Sequence, residues 1–312
     1  MAIELKSRVL DDITEMLNYQ SFYINLNTRY KLGQPFNEPN FLYTCGETLG
    51  YGELAVIEVY NDGELIDIIP FARTKEGIYK TPIPLEIPHF LYFPSLARYF
   101  NECFDFLCEK IEDYIITNTV FNEQDLTYLT KKYGYLNVNE KSFFVLEIPP
   151  DFERWIYRTK PKSQDKYAKI IKLLKKSDLS LGKWSDPLGV QEKILMALNK
   201  GTNLPLITKA AVSTLYFQLK LAGYEIEYTT LQAENYDLTG AILLTHGSNI
   251  YIFQMFNFTD ERKNSIEELH LIKLLEVAAQ EGKSKLILFS DIEPPILKYE
   301  SIKIFDISFQ KA

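Results

Sequence analysis

With 312 residues, 46% of them hydrophobic and 24% charged, the chain is long enough for two domains of ordinary size and too apolar for a disordered one. A formal net charge of −8 argues against a general polyanion binder, and no apolar run approaches the ~20 residues that span a bilayer. The N-terminus, Met1-Ala2-Ile3-Glu4-Leu5-Lys6, lacks a basic region followed by an apolar core, so the expected compartment is the cytoplasm.

In chain order, a helix is expected around Arg8 to Tyr19, followed by a loop-rich segment holding Gly33, Pro35, Pro39, Gly46, Gly50 and Gly52. Glu53 to Tyr60 and Glu64 to Phe71 then flank Asn61-Asp62-Gly63, a strong hairpin signal. Prolines at 82, 84, 88 and 94 keep the next stretch from being a central strand throughout. Ser95 opens a helix with Leu96, Tyr99, Phe100, Cys103, Phe106, Leu107 and Ile111 on its apolar side, and Tyr114 to Thr119 reads as a strand. A helix near Glu123 to Tyr133 stops at Gly134, and Tyr135 to Ile148 is extended up to Pro149-Pro150, the expected domain boundary.

Between Arg154 and Lys176 stand nine basic residues and one acid, Asp165: a local charge of +8 that leaves −16 elsewhere. With Ile170, Ile171, Leu173 and Leu174 on one side, the stretch from about 154 to 183 is expected to be a basic helical arm. It is either a solvated bridge between domains, a dock for phosphate or nucleic acid, or a membrane-surface helix. Beyond it, Ala211 to Gly223 is a further helix, and Tyr224 to Gln232, Leu238 to Thr245 and Ile250 to Phe258 are strands. The last two are joined through His246-Gly247-Ser248-Asn249. Ser265 can cap a helix carrying Ile266, Leu269, Ile272 and Leu275, Gly282 can end it in a left-handed turn, and Lys285 to Ser290 is a buried strand. Both halves thus run hairpin, helix, strand, which points to two copies of one fold, 1–150 and 151–312.

Cys45, Cys103 and Cys108 have no zinc-like spacing, and His89, His246 and His270 are scattered. Reduced buried thiols and no metal are expected.

The basic arm, the helix Ser213-Thr214-Leu215-Tyr216-Phe217-Gln218-Leu219-Lys220-Leu221-Ala222-Gly223, the run Thr239-Gly240-Ala241-Ile242-Leu243-Leu244, the unit from Ile250 to Gly282 and the N-terminal hairpin strand Gly63-Glu64-Leu65-Ile66-Asp67-Ile68-Ile69-Pro70 together resemble the Fem-like branch of the GNAT acyltransferase superfamily. The resemblance implies a mixed α/β architecture of two tandem GNAT-like domains. It also implies transfer of an acyl or aminoacyl group, from acyl-coenzyme A or an aminoacyl-tRNA, to an amine such as that of an amino sugar or surface-polymer precursor. Coenzyme A users of the superfamily carry a Gly-rich turn ahead of the phosphate-binding helix. Here Asn257 to Ser265 has no glycine. Arg262, Lys263, Asn264 and Ser265 remain to meet phosphate, while Asp260, Glu261, Glu267 and Glu268 bring negative charge that equally suits a helix dipole.

In the cleft the resemblance implies, Tyr251, Gln254 and Asn257 lie along one strand; on a strict period of two, Tyr251 and Asn257 share a face opposite Gln254. Gln254, a lone amide among apolar neighbours, can orient a substrate carbonyl or make a structural hydrogen bond. Asp291, after the last strand, is placed to take a proton from an amine, and Lys298 and Tyr299 reverse a Tyr-Lys pair often seen in Fem-like proteins. The alternative is a GNAT-fold protein without catalysis that docks an anionic partner through its arm.

Overall fold

The computed structural model describes residues 3–10, 13–30, 35–36, 38–49, 53–73, 79–80, 105–106, 113–119, 123–132, 137–152, 179–234, 236–259, 263–288 and 299–310. The proline-rich stretch, most of the helix expected from Ser95, and the basic residues 154–176 lie outside them, as do Arg262, Asp291 and Lys298. The chain forms two compact units, Met1–Lys141 with Lys303–Ala312, and Ser142–Ile302. Among the described residues no helix is long and apolar enough to cross a membrane.

The first unit runs β1 (Ile3–Val9), α1 (Ile13–Tyr30), α2 (Pro39–Leu49), β2 (Glu53–Asn61), β3 (Glu64–Arg73), β4 (Tyr79–Lys80), β5 (Asp113–Thr119) and α3 (Glu123–Lys132), and ends inside β6 (Asn137–Glu147). The second takes over within β6. It continues with β7 (Leu179–Trp184), α4 (Pro187–Gly201), α5 (Leu206–Leu221), β8 (Glu225–Ala233), β9 (Tyr236–His246), β10 (Asn249–Asn257), α6 (Lys263–Gln280) and β11 (Lys285–Leu288), and ends inside β12 (Glu300–Gln310). Sheet order in the first unit is β1-β2-β3-β4-β5-β12, with β4 and β5 parallel and β12 antiparallel to β5. In the second it is β6-β11-β10-β9-β8-β7, with β10 and β11 parallel.

Several local expectations are corrected. Arg8 lies in β1, where exposed Glu4, Lys6 and Arg8 alternate with half-buried Leu5 and Val9, so the first helix begins later, at Ile13. The stretch expected as loop contains α2: Pro39 suits a helix start, and the buried Phe41, Leu42 and Cys45 outweigh the cost of Gly46. The expected arm's residues 179–183 are strand β7. The four-residue loop before β10 is a two-residue turn, since His246 pairs with Asn249 and Gly247 adopts φ 59.

The duplication is written in the backbone more clearly than in the side chains. In the first hairpin Asn61 pairs with Glu64, Tyr60 with Leu65, and Val59 with Asp67, skipping Ile66. In the hairpin of β8 and β9, Ala233 pairs with Tyr236, Gln232 with Asp237, and Leu231 with Thr239, skipping Leu238. The turns also agree, with Asp62 at φ 51 and Glu234 at φ 48. A matched turn followed by a matched bulge is a specific device that pins register and re-aims a strand. In the first unit Glu58 is buried on β2 and accepts from the hydroxyls of Tyr19 and Tyr60, fastening α1 to the sheet.

The second unit buries both faces of its sheet. Leu231, Ala241, Leu243, Ile250 and Ile252 meet Leu269, Ile272 and Leu275 of α6. On the other face Tyr216 of α5 packs against Phe253 at 5.8 Å, and the ring of Phe256 lies against Gly201 of α4. Asp186 caps α4 by accepting from the Gly189 N–H at 2.7 Å, with Pro187 preset at the first helical position. Asp186→Ala is expected to cost about 1 kcal/mol in a denaturant titration, and an unchanged midpoint would show that the cap carries no stability.

Candidate functional site

The candidate site grows from an irregularity in β10. Ile252 pairs with Leu243 but Gln254 with Ile242, so Phe253 is an extra residue, and the strand must bend and twist there. Parallel pairing with β11 runs from Asn249↔Lys285 to Ile252↔Leu288, the last described residue of β11, while β10 itself continues to Asn257. The bulge thus sits just past the last described parallel pair, toward the carboxyl ends of β10 and β11, the end at which open α/β sheets take their ligands.

It also changes which side chains act together. Tyr251 pairs with Leu244, Gln254 with Ile242 and Phe256 with Gly240, three β9 residues of one parity, whereas Asn257 pairs with Thr239. Tyr251 and Gln254 therefore share the face covered by α4 and α5, and Asn257 lies on the α6 face. The strict period of two placed Tyr251 with Asn257; the extra residue reverses that.

Gln254 is half-buried. Tyr251 is buried and hydrogen-bonded to the Asn249 side chain; burial pushes its hydroxyl up to about 12, so it stays protonated at neutral pH. The Asn257 side-chain oxygen accepts from the Thr259 N–H and hydroxyl, each at 2.9 Å, a local turn that ends β10. Tyr299 packs edge-on against Phe144, 4.9 Å between ring centres, in the α6-side core. Lys263, Asn264 and Ser265 form the opening of α6, which starts at Lys263, so Ser265 lies within the first turn and does not cap it. That turn contains no acid, and Glu267 and Glu268 come after it; Asp260 and Glu261, the other two acids expected to crowd the site, precede the helix and lie outside the described residues.

Tyr228 is the residue that sequence reasoning missed. It stands on β8 opposite Ile242, which in turn stands opposite Gln254, so the three form one row across the sheet. Its hydroxyl occupies the space where a Cβ on Gly240 would be, and its ring lies 6.0 Å from that of Trp184. Burial, reinforced by Asp237, raises its pKa and keeps the hydroxyl neutral. The available signal was Gly240 itself, a glycine inside a strand pattern, which marks close approach of another group. Beyond the bulge the buried Phe256 ring stacks on half-buried Phe258 at 6.3 Å, and the Lys200 ammonium lies 5.6 Å from the Phe258 ring.

On the opposite face His270 is fully buried between Thr229 (3.2 Å from Nε2) and Thr239 (2.9 Å from Nδ1). Both ring nitrogens are used, which fits a structural role. Among the described residues no three His, Cys, Asp or Glu side chains gather as a metal site, and Cys45 is a buried free thiol whose pKa burial raises.

No family model matches the chain, and no curated protein matches it by sequence. Solved structures do match in fold. A tandem GNAT protein from the clavulanic acid biosynthesis pathway superposes with a TM-score of 0.54 at 9% identity, covering 97% of this chain and 98% of that one. FemX superposes with a TM-score of 0.53 at 10% identity, covering 85% and 90%. The chain therefore has the mixed α/β, tandem GNAT fold.

Proposed function

We propose that the protein is an acyltransferase that moves an acyl or aminoacyl group from a thioester or ester donor to an amine, and that the chemistry lies in the second of two GNAT-like domains joined near Pro149-Pro150. The observation that carries this is the bulge at Phe253, which turns β10 just past its last described parallel pair with β11 and brings Gln254 and Tyr228 onto one face. The donor, acyl-coenzyme A in the simplest case, lies along β10 beyond the bulge. Its phosphates meet Arg262, Lys263 and the first N–H groups of α6 around Asn264 and Ser265; the two cationic side chains must outweigh Asp260 and Glu261 just ahead of them.

The acceptor amine attacks the donor carbonyl, a C–N bond forms, and the tetrahedral intermediate collapses with loss of the thiolate or alkoxide, which takes up a proton. Gln254 donates its amide to the carbonyl oxygen as charge develops there. Asp291 takes the ammonium proton and Lys298 contributes to the acceptor side, while Asn257 and Tyr299, on the α6 face, fix the end of β10 and the core behind it. Tyr251, protonated and buried, holds the strand. No covalent enzyme intermediate is needed, because holding amine and carbonyl together supplies much of the acceleration. The acceptor is an amine such as that of an amino sugar or surface-polymer precursor, and the reaction takes place in the cytoplasm.

Calorimetric titration with acetyl-coenzyme A, coenzyme A and a deacylated tRNA, paired with an amine-acylation assay, tests the reading. Saturable binding of the coenzyme A compounds is expected, with turnover reduced about 10²-fold by Asp291→Asn. Failure of every donor to bind would leave a GNAT-fold protein without catalysis.

A further inference from the structure

From Lys193 to Tyr224, covering most of α4 and all of α5, the sequence holds four lysines and not one Asp or Glu, in a chain whose net charge is −8. At the apex between the two helices, Leu206 and Ile207 are 71% and 84% exposed. Both lie in the first turn of α5, just after exposed Pro205, and no side chain caps that turn. Its forward N–H groups are left to an outside acceptor, and the helix dipole adds positive potential to that of the exposed Lys200.

Two bulky aliphatics side by side at a helix start are costly to leave in water. Base stacking would call for aromatic rings, and a nucleic acid would find no use for Leu206 and Ile207. An anionic lipid surface uses every part: the aliphatics enter the acyl boundary, and the lysine and uncapped N–H groups meet the headgroups. We propose that the α4–α5 apex is a shallow membrane-docking tip, selective for anionic bilayers and led by Leu206 and Ile207.

Sedimentation of the full chain with vesicles of phosphatidylglycerol and phosphatidylcholine, against phosphatidylcholine alone, tests it. Partition onto the anionic vesicles is expected to fall at least tenfold in Leu206→Glu/Ile207→Glu and several-fold in Lys200→Glu, with thermal midpoints unchanged because the side chains are exposed. Ile207→Trp should show a blue-shifted emission on anionic vesicles only. Equal sedimentation with the two vesicle types, or a double variant that binds like the parent, overturns the proposal. So does a concentration-dependent dimer that the double variant abolishes, which would assign the patch to a second copy.

Discussion

Gly240→Ala should lower the stability of the second unit by about 2–3 kcal/mol, in the upper part of the range for over-packing a filled core. An added Cβ would lie 1.9 Å from the Tyr228 hydroxyl oxygen, 2.7 Å from its Cζ and 3.3 Å from Cε2 of Phe258. None of these can retreat cheaply: Tyr228 is buried, with Trp184 beside its ring, and Phe258 is stacked on Phe256. Tyr228→Phe removes the nearest atom but leaves the ring carbon, so the double variant should recover only part of the loss. Denaturant titration of the four proteins of that cycle gives the coupling directly. A Gly240→Ala protein as stable as the parent would place the tyrosine hydroxyl elsewhere and remove Tyr228 from the site. In an acyl-transfer assay the surviving single variant should lose turnover as well, since Tyr228 and Gln254 flank Ile242 in one row.

The same region shows what the sequence can and cannot declare. The strands β8 to β10 are legible because alternating residues end in turn-forming ones, and Asp62-Gly63 announces its hairpin through two residues that accept positive φ. Gly282, at φ 70, ends α6 as expected, with Lys283 N–H returning to the Ala278 carbonyl at 2.9 Å. The bulge at Phe253 had no such mark. Inside Ile252-Phe253-Gln254-Met255-Phe256 any residue could be the extra one, and only pairing to β9 decides. That single residue moves Gln254 to the side of Tyr251, so the grouping of candidate side chains depended on a feature without sequence expression. β7 and α4 were missed for other reasons. The edge strand is short, with Gly182 near its centre, so it carries little strand signal; α4 did carry one, the Asp186 cap directly before Pro187, which went unused.

Acid should weaken the second unit through His270. Burial pushes its pKa down from 6.5 to about 3, so the folded state holds the neutral ring across a range in which the unfolded chain takes up a proton. Above pH 6.5 both states are neutral and the residue adds no pH dependence. As pH falls below 6.5 the unfolded state binds the extra proton, and stability declines by up to about 1.4 kcal/mol per pH unit until the folded ring also titrates near pH 3. The neutral ring donates from one nitrogen and accepts at the other, and the Thr229 and Thr239 hydroxyls can supply both roles. Hydrogen bonding alone would tolerate the cation, because both hydroxyls can also accept; the obstacle is the cost of an unpaired charge in the α6-side core. His270→Gln keeps a polar side chain there but has nothing to titrate. It should therefore be less stable than the parent at pH 7 and have a flatter dependence between pH 6.5 and 4. Urea titrations across that range measure the slopes, and carboxylates, common to both proteins, cancel in the difference. Equal slopes would mean that His270 titrates normally and that α6 opens to water far more readily than its packing implies.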